Sequence, residues 1–332
     1  MMTRKAFFAL AASALAVGLA PISSASAEET LKAISFLPKQ INYSQSFAKF
    51  VDDFNKEAKG VVQINFIGGP EVTPAGQQGQ ALKNGLVDMI LCPPGLYLNL
   101  VPEGEVLSGS NKTPLELRKD GAYALLDKVM QKRLNAKFLA HVAGGNHFYL
   151  WTKEEPKKTA DGGVDFKGLK IRTAPLWKAF FDALGITTIV LPPPDVYTAL
   201  ERGTVDGTGW PVIGLRDFKW DKFVKYRIEP GFMQTDVTLA ANLKKFNSLS
   251  KKAQDMLTKA AIKYEAASYA AFQELEKSDK AAMAAEGMKV VELTGAARKK
   301  FLDLAYAAPW KRMKEKGIPD YDALRAKFLA AN

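Results

Sequence analysis

The chain has 332 residues, 47% of them apolar and 24% charged. That composition argues against a disordered or fibrous chain and leaves room for about two domains of ordinary size. One cysteine, Cys92, excludes an internal disulfide. The net charge of +11 is carried largely by lysines scattered along helix-like stretches such as KKAQDMLTKAAIK, with no Arg-rich arm or aromatic RNA-binding motif. This disfavours a nucleic-acid partner.

The N-terminus has a basic start at Arg4 and Lys5, an apolar run from Ala6 to Ala20, then Pro21 and Ala25-Ser26-Ala27. This is the pattern of a secretory signal peptide over residues 1–27 with an A-x-A cleavage site. The apolar run is too short for a span of about 20 residues. The mature chain is therefore expected to start near Glu28 and to work in the periplasm. Without Arg4 and Lys5 its charge is +9, since residues 1–27 carry no acid.

Leu31 to Phe36 reads as a strand, and SFAKFVDDFNKEAKG as a helix with Phe47, Phe50, Val51 and Phe54 on one face and Gly60 as its stop. VVQINFIGG is a second strand. GQQGQALKNGLVDMILCPP reads as a helix, a turn at Asn84-Gly85 and a third strand. Cys92 lies in that apolar run and reads as a small buried hydrophobe rather than a nucleophile. Alternation of strands and helices implies a mostly parallel sheet covered by helices.

The pattern then recurs. Ala136 to Val142, Asn146 to Trp151 and GLKIRTA read as strands, PLWKAFFDALG as a helix and TTIVLPP as a strand. DVYTALERGTVDGTGWP repeats the earlier helix-turn-strand logic: ALKNGLVDMI and ALERGTVDGT share A-L-x-x-G-x-V-D. Two related α/β halves follow, with ligands expected at the strand-end loops. From Leu249 to about Glu286 there is no Pro or Gly, and Met256, Leu257, Ala260, Tyr264, Ala267, Ala271 and Leu275 recur at helical spacing. A helix of about 35 residues is about 50 Å long, enough to run across both halves. The tail TGAARKKFLDLAYAAPWKRMKEKG reads as a further helix, broken near Pro309.

Catalytic and metal signatures are sparse. The two histidines, His141 and His147, have no Cys or HExxH partner, there is no G-x-S-x-G and no P-loop, and Pro211 interrupts the Gly207-Thr208-Gly209 fragment of a dinucleotide fingerprint. No metal ligands and no catalytic residues are assigned, although a hard cation held by oxygens leaves no such signature. Arg172 closes an apolar strand and stands just before Pro175. An arginine there either reaches solvent or waits for an anion.

The segments FKGLKIRTAP, LPPPDVYTALERGTVDGTGWP, GGPEVTPAGQQGQALKNGLVDM and NLKKFNSLSKKAQDML carry a resemblance. The sequence resembles the solute-binding proteins of tripartite ATP-independent periplasmic (TRAP) transporters, the DctP family, over nearly all of the mature chain. The resemblance implies two α/β lobes, each a mixed, mostly parallel sheet flanked by helices, closing over an organic acid. It also implies a long helix spanning both. The lobes are expected at 28–150 plus about 237–280, and 151–236 plus about 281–332. It further implies that Arg172 grips the ligand carboxylate with both arms of its fork. Where many members have Asn, this chain has Trp210, as do members that take 2-oxo or 2-hydroxy acids, some through a cation. Gln234 stands where those members have an acid, and Asp236 is two residues further on. The first lobe is expected to contribute Tyr43, Glu71 and Tyr97. His147 and Phe148 lie near the place of a second ligand-gripping arginine, absent here.

The resulting expectation is a binder rather than an enzyme. It would take a monocarboxylate with an apolar or aromatic body, or a 2-oxo or 2-hydroxy acid, and deliver it to membrane permease subunits, with no cofactor beyond an optional bridging cation. Two alternatives compete. One is a subunit that presents ligand to a membrane sensor, and the other a secreted enzyme with His147 as base.

Overall fold

A computed structural model describes residues 28–330; the expected signal peptide, 1–27, lies outside the described residues. The first sheet takes β1 (Glu29–Ser35), β2 (Val62–Gly68), β3 (Met89–Cys92), β4 (Ala136–His141) and β10 (Thr238–Asn242), in the order β2-β1-β3-β10-β4. The second takes β5 (His147–Thr152), β6 (Lys170–Thr173), β7 (Thr187–Val190), β8 (Gly207–Pro211), β9 (Tyr226–Gln234) and β11 (Lys289–Glu292), in the order β11-β9-β5-β8-β6-β7. β1 runs parallel to β2 and β3, and β6 to β7 and β8, while β10 and β5 are antiparallel to both their neighbours. Each lobe is thus a mixed sheet whose parallel part was readable from its strand-helix alternation.

Helices cover the sheets: α1 (Asn42–Glu57), α2 (Gln78–Lys83), α3 (Pro114–Lys119) and α4 (Ala122–Leu134) on the first, α5 (Pro175–Ala183) and α6 (Pro193–Glu201) on the second. α7 (Leu243–Ser248), α8 (Lys251–Ala285), α9 (Gly295–Glu315) and α10 (Tyr321–Phe328) complete the chain. α1 buries the Phe47, Phe50, Val51 and Phe54 face that its spacing predicts.

The short A-L-x-x-G-x-V-D repeat has a structural counterpart in each lobe. Gly85 and Gly203 take φ of 72° and 68°, the left-handed turn that ends α2 and α6. Val87 and Val205 then go into the two cores. The aspartates tie the next strand to its parallel neighbour: Asp88 accepts from Lys32 N at 2.8 Å, and Asp206 from Lys170 N at 2.9 Å.

The chain crosses between the sheets three times, twice by short segments at 142–146 and 235–237 and once through α8, and the two short crossings are bonded to each other. Val142 N donates to Val237 O at 2.8 Å, Thr235 N to Asn146 O at 2.8 Å, and Thr235 Oγ1 to Ala143 O at 2.6 Å. Ala143 is left-handed at φ 54°, a conformation costing a non-glycine residue about 1–2 kcal/mol. The first crossing precedes His147, so residues 147–150, expected in the first lobe, pair in the second sheet.

α8, 35 residues long, runs past both lobes. Its Glu265 accepts from His141 N at 2.8 Å and pairs with Arg118 of the first lobe. Ser268 Oγ accepts from Ala143 N at the crossing (3.2 Å), and Glu276 accepts from Tyr149 Oη of the second lobe at 2.8 Å. The buried stripe therefore differs from the apolar one read in the sequence. Leu257 and Tyr264 are buried, Ala267 and Ala271 are exposed, and polar Glu265, Ser268 and Glu276 take the inner positions over the crossings.

α9 is a second difference. Pro309 sits inside a continuous helix rather than breaking it. Pro309 and Trp310 are buried, and Trp310 Nε1 donates to Gly109 O at 2.9 Å, so packing offsets the lost helical hydrogen bond. The tail is also not confined to the second lobe. Arg312 pairs with buried Glu105, and Phe328 O accepts from Ser110 Oγ at 2.6 Å.

Candidate ligand-binding site

A cavity lies between the sheets. The first lobe and the second crossing line it with Phe36, Tyr43, Gly95, Leu96, Asp236 and Val237, and the second lobe with Phe148, Arg172, Leu176, Trp177 and Trp210. It leaves about 60 Å³ for the centres of water-sized atoms, so the lobes stand closed around a compact space. Asn42 at the start of α1 reaches across to the second lobe. Its backbone N donates to Asp217 Oδ2 at 2.9 Å and its Nδ2 to Oδ1 at 3.0 Å.

Arg172 lies on β6, which runs parallel to β7 and β8 and delivers it to the carboxyl end of those strands, where open α/β sheets hold ligands. The residue is 2% exposed. Nε donates to Leu191 O at 2.9 Å and Nη1 to Gly209 O at 3.1 Å. Trp177 of α5 and Trp210 of β8 flank the guanidinium, with ring centroids 5.7 and 5.4 Å away. Burial is the one cause that pushes its pKa down, to about 9, and no acid among the described residues offsets it. The guanidinium is therefore fixed by carbonyls and rings and holds its charge without a counter-ion.

The neighbours are shaped for this. A Cβ on Gly209 would stand 2.9 Å from Phe181 and 3.0 Å from Trp177, so glycine there lets Trp177 close over the arginine. Trp210 is held edge-on by Trp220 at 5.1 Å and Phe218 at 5.8 Å. Phe148 packs on Trp177 at 4.6 Å. Three buried donors of the wall, Tyr43 Oη, Trp177 Nε1 and Trp210 Nε1, have no hydrogen-bond partner among the described residues. Such groups are costly unless something else satisfies them.

Of the residues expected from the sequence, Arg172, Trp210, Phe148 and Tyr43 meet at this wall. The other four do not. Gln234 spends its amide on the backbone, donating to Ser110 O and Lys112 O at 3.0 Å each and accepting from Gly145 N at 2.9 Å, so it braces the crossing. His147 sits beside the crossing, where burial lowers its pKa. Glu71 is exposed and accepts from Gly69 N at 2.7 Å, closing its own loop. Tyr97 is buried against Gly79, whose Cβ would lie 2.5 Å from the ring.

Trp177 and Asp236 are among the wall residues that lay outside the expected site. Trp177 had a visible signal, an aromatic in the first turn of the helix after GLKIR. Asp236, considered only as a substitute cation ligand, is 3% exposed, accepts from Gly95 N at 2.7 Å, and is pushed up to about 7 chiefly by burial. Among the described residues no group of three or more His, Cys, Asp or Glu side chains could hold a metal ion. No described helix is long and apolar enough to cross a membrane.

Comparisons with known proteins agree with this architecture. The chain is 26% identical over 286 residues to a solute-binding protein of Verminephrobacter eiseniae, covering 83% of each chain. It is 26% identical over 216 residues to a monocarboxylate 2-oxoacid-binding periplasmic protein of Nostoc sp., covering 61% of this chain and 57% of the other. Among solved structures, a Bordetella pertussis extracytoplasmic solute receptor binding pyroglutamic acid superposes with a TM-score of 0.79 at 17% identity, over 90% of this chain and 99% of that one. A Bordetella bronchiseptica TRAP solute-binding protein with calcium and picolinate gives 0.78 at 22% identity, over 91% and 90%. The model for bacterial extracellular solute-binding protein, family 7, matches residues 34–316. With that pattern running from the first strand through the ninth helix, the chain belongs to the DctP family, the solute-binding proteins of TRAP transporters.

Proposed function

We propose that this protein is a periplasmic receptor that closes over a small organic acid, pairs its carboxylate with Arg172, and hands it to the membrane subunits of a TRAP transporter. The observation that carries the reading is a buried guanidinium with no acidic partner among the described residues, facing a compact, ring-lined cavity between the two lobes. A carboxylate supplies what that group lacks, and each charged hydrogen bond is worth about 1.5–3 kcal/mol. The relative that binds 2-oxo acids and the fold neighbour with pyroglutamic acid support an acid as ligand. The cavity favours a compact one, with Trp210, Phe148, Trp177 and Leu176 against its body. An enzymatic reading needs His147 as base, and His147 is off the wall of the cavity.

The lobes close because ligand makes contacts with both at once, which favours the closed state by the difference in contact energy. Thermal-shift measurements with 2-oxo, 2-hydroxy, lactam, aromatic and C4-dicarboxylic acids test the reading. At least one acid raises the Tm of the wild type, and Arg172→Ala removes that rise. Equal stabilisation of both proteins contradicts it.

A further inference from the structure

Arg172 is not the only buried ionisable group facing the cavity. Asp236 lies in the second crossing between the lobes, almost fully buried, and lines the same wall. It has one protein hydrogen bond, from Gly95 N to Oδ2 at 2.7 Å, and no cation of the described residues pairs with it. The two groups do not neutralise each other: among the described residues no acid acts on Arg172 and no cation on Asp236. A ligand that brings only a carboxylate satisfies Arg172 and leaves Asp236 facing a second negative group in an apolar space. That arrangement is unfavourable at low dielectric.

Resting on the carboxylate reading of the site, we infer that Asp236 selects acids that carry an N–H or O–H donor beside the carboxylate. The favoured class is lactam, 2-amino or 2-hydroxy acids, and the disfavoured class is their 2-oxo or ring-oxygen counterparts. Above its pKa of about 7, where Asp236 is ionised, a donor aimed at it replaces the missing cation with a charge-assisted hydrogen bond, while an oxo or ether oxygen at the same place offers only repulsion. Gly95 is part of the device. A Cβ there would stand 2.8 Å from Asp236 Oδ2 and 3.1 Å from Leu176, so glycine lets the backbone N–H hold one carboxylate oxygen while the lobes meet.

The test is calorimetry on the full-length mature protein with matched pairs, at about pH 8.5, where Asp236 is ionised. These are pyroglutamate against its ring-oxygen analogue 5-oxotetrahydrofuran-2-carboxylate, and 2-hydroxybutyrate against 2-oxobutyrate. In the wild type the donor-bearing member of a pair binds at least about tenfold tighter. Asp236→Asn, which keeps the size and the acceptor for Gly95 N–H, brings the two members to within about threefold. Arg172→Ala weakens both members alike. The inference is overturned if the oxo or ring-oxygen member binds as well to the wild type, or if the gap survives Asp236→Asn. It is equally overturned if EDTA abolishes binding, since Asp236 then holds a cation. Should no member of either pair bind the wild type while an uncharged solute does, the carboxylate reading itself fails.

Discussion

An isolated buried charge titrates where its surroundings allow, and Asp236 makes that measurable without any ligand. Its folded-state pKa stands at about 7, above the usual carboxylate value of 3.8, with burial as the largest cause and Glu105 adding repulsion. The folded protein therefore holds this proton in a range where the unfolded chain has released it. Stability is lost as pH rises from about 4 through 7, up to a limit of about 4 kcal/mol. Asp236→Asn is expected to raise the Tm of the ligand-free protein at pH 8 and to leave it unchanged near pH 3.5. Scanning calorimetry across that range checks the sign, and an Asn variant less stable at pH 8 contradicts it. Arg172 stood out in the sequence as an arginine that either reaches solvent or waits for an anion, and it was the family resemblance that pointed to the anion; the structure buries it at the cavity wall. Asp236 was not legible as a partner of the site, because its neighbour Gly95 is 141 residues away and only the second crossing brings them together. Gln234 misled for the same reason: the carbonyls of Ser110 and Lys112 that consume its amide are remote in sequence.

At the scale of elements, the repeated glycine gives a paired prediction. Gly85 and Gly203 both take positive φ, and neither would bring a Cβ within 4 Å of another residue in Gly203's case, or closer than 3.7 Å in Gly85's. Alanine at either position therefore costs the backbone term alone, about 1–2 kcal/mol. Urea unfolding of the two variants should show losses of similar size, and a much larger loss at one of them breaks the equivalence of the two turns. Strands alternating with amphipathic helices were readable, since their periodicity is local. β9 and β10 were missed because the chain runs straight from one sheet into the other across Thr235–Val237, with no glycine-rich turn between them. Pro309 shows the limit of a local rule. A proline stops a helix in isolation, yet α9 keeps its course because Trp310 is anchored on Gly109.

At the scale of the whole molecule, closure depends on few direct bonds across the cleft. The Asn42–Asp217 pair supplies two of them, at 2.9 and 3.0 Å. Its groups are only partly buried, so its worth is modest, about 0.5–1.5 kcal/mol for each bond. Asp217→Ala should weaken ligand binding about 5- to 150-fold, mostly through faster release, because these contacts join the two lobes over the cavity. Stopped-flow dissociation checks this, and an unchanged release rate removes the latch from the account. That two lobes and a spanning helix exist was legible from the repeat and from a 35-residue stretch without Pro or Gly. How the tail stitches both lobes was not, because Arg312 and Glu105 meet only in the folded chain.

The central claim is that the Arg172 fork receives the ligand's carboxylate. The most direct measurement is a crystal structure of the protein with the tightest-binding acid of the panel. The account predicts both carboxylate oxygens within hydrogen-bond distance of the Arg172 guanidinium, between the rings of Trp177 and Trp210. A carboxylate bound elsewhere, with Arg172 held only by the carbonyls of Leu191 and Gly209, contradicts it.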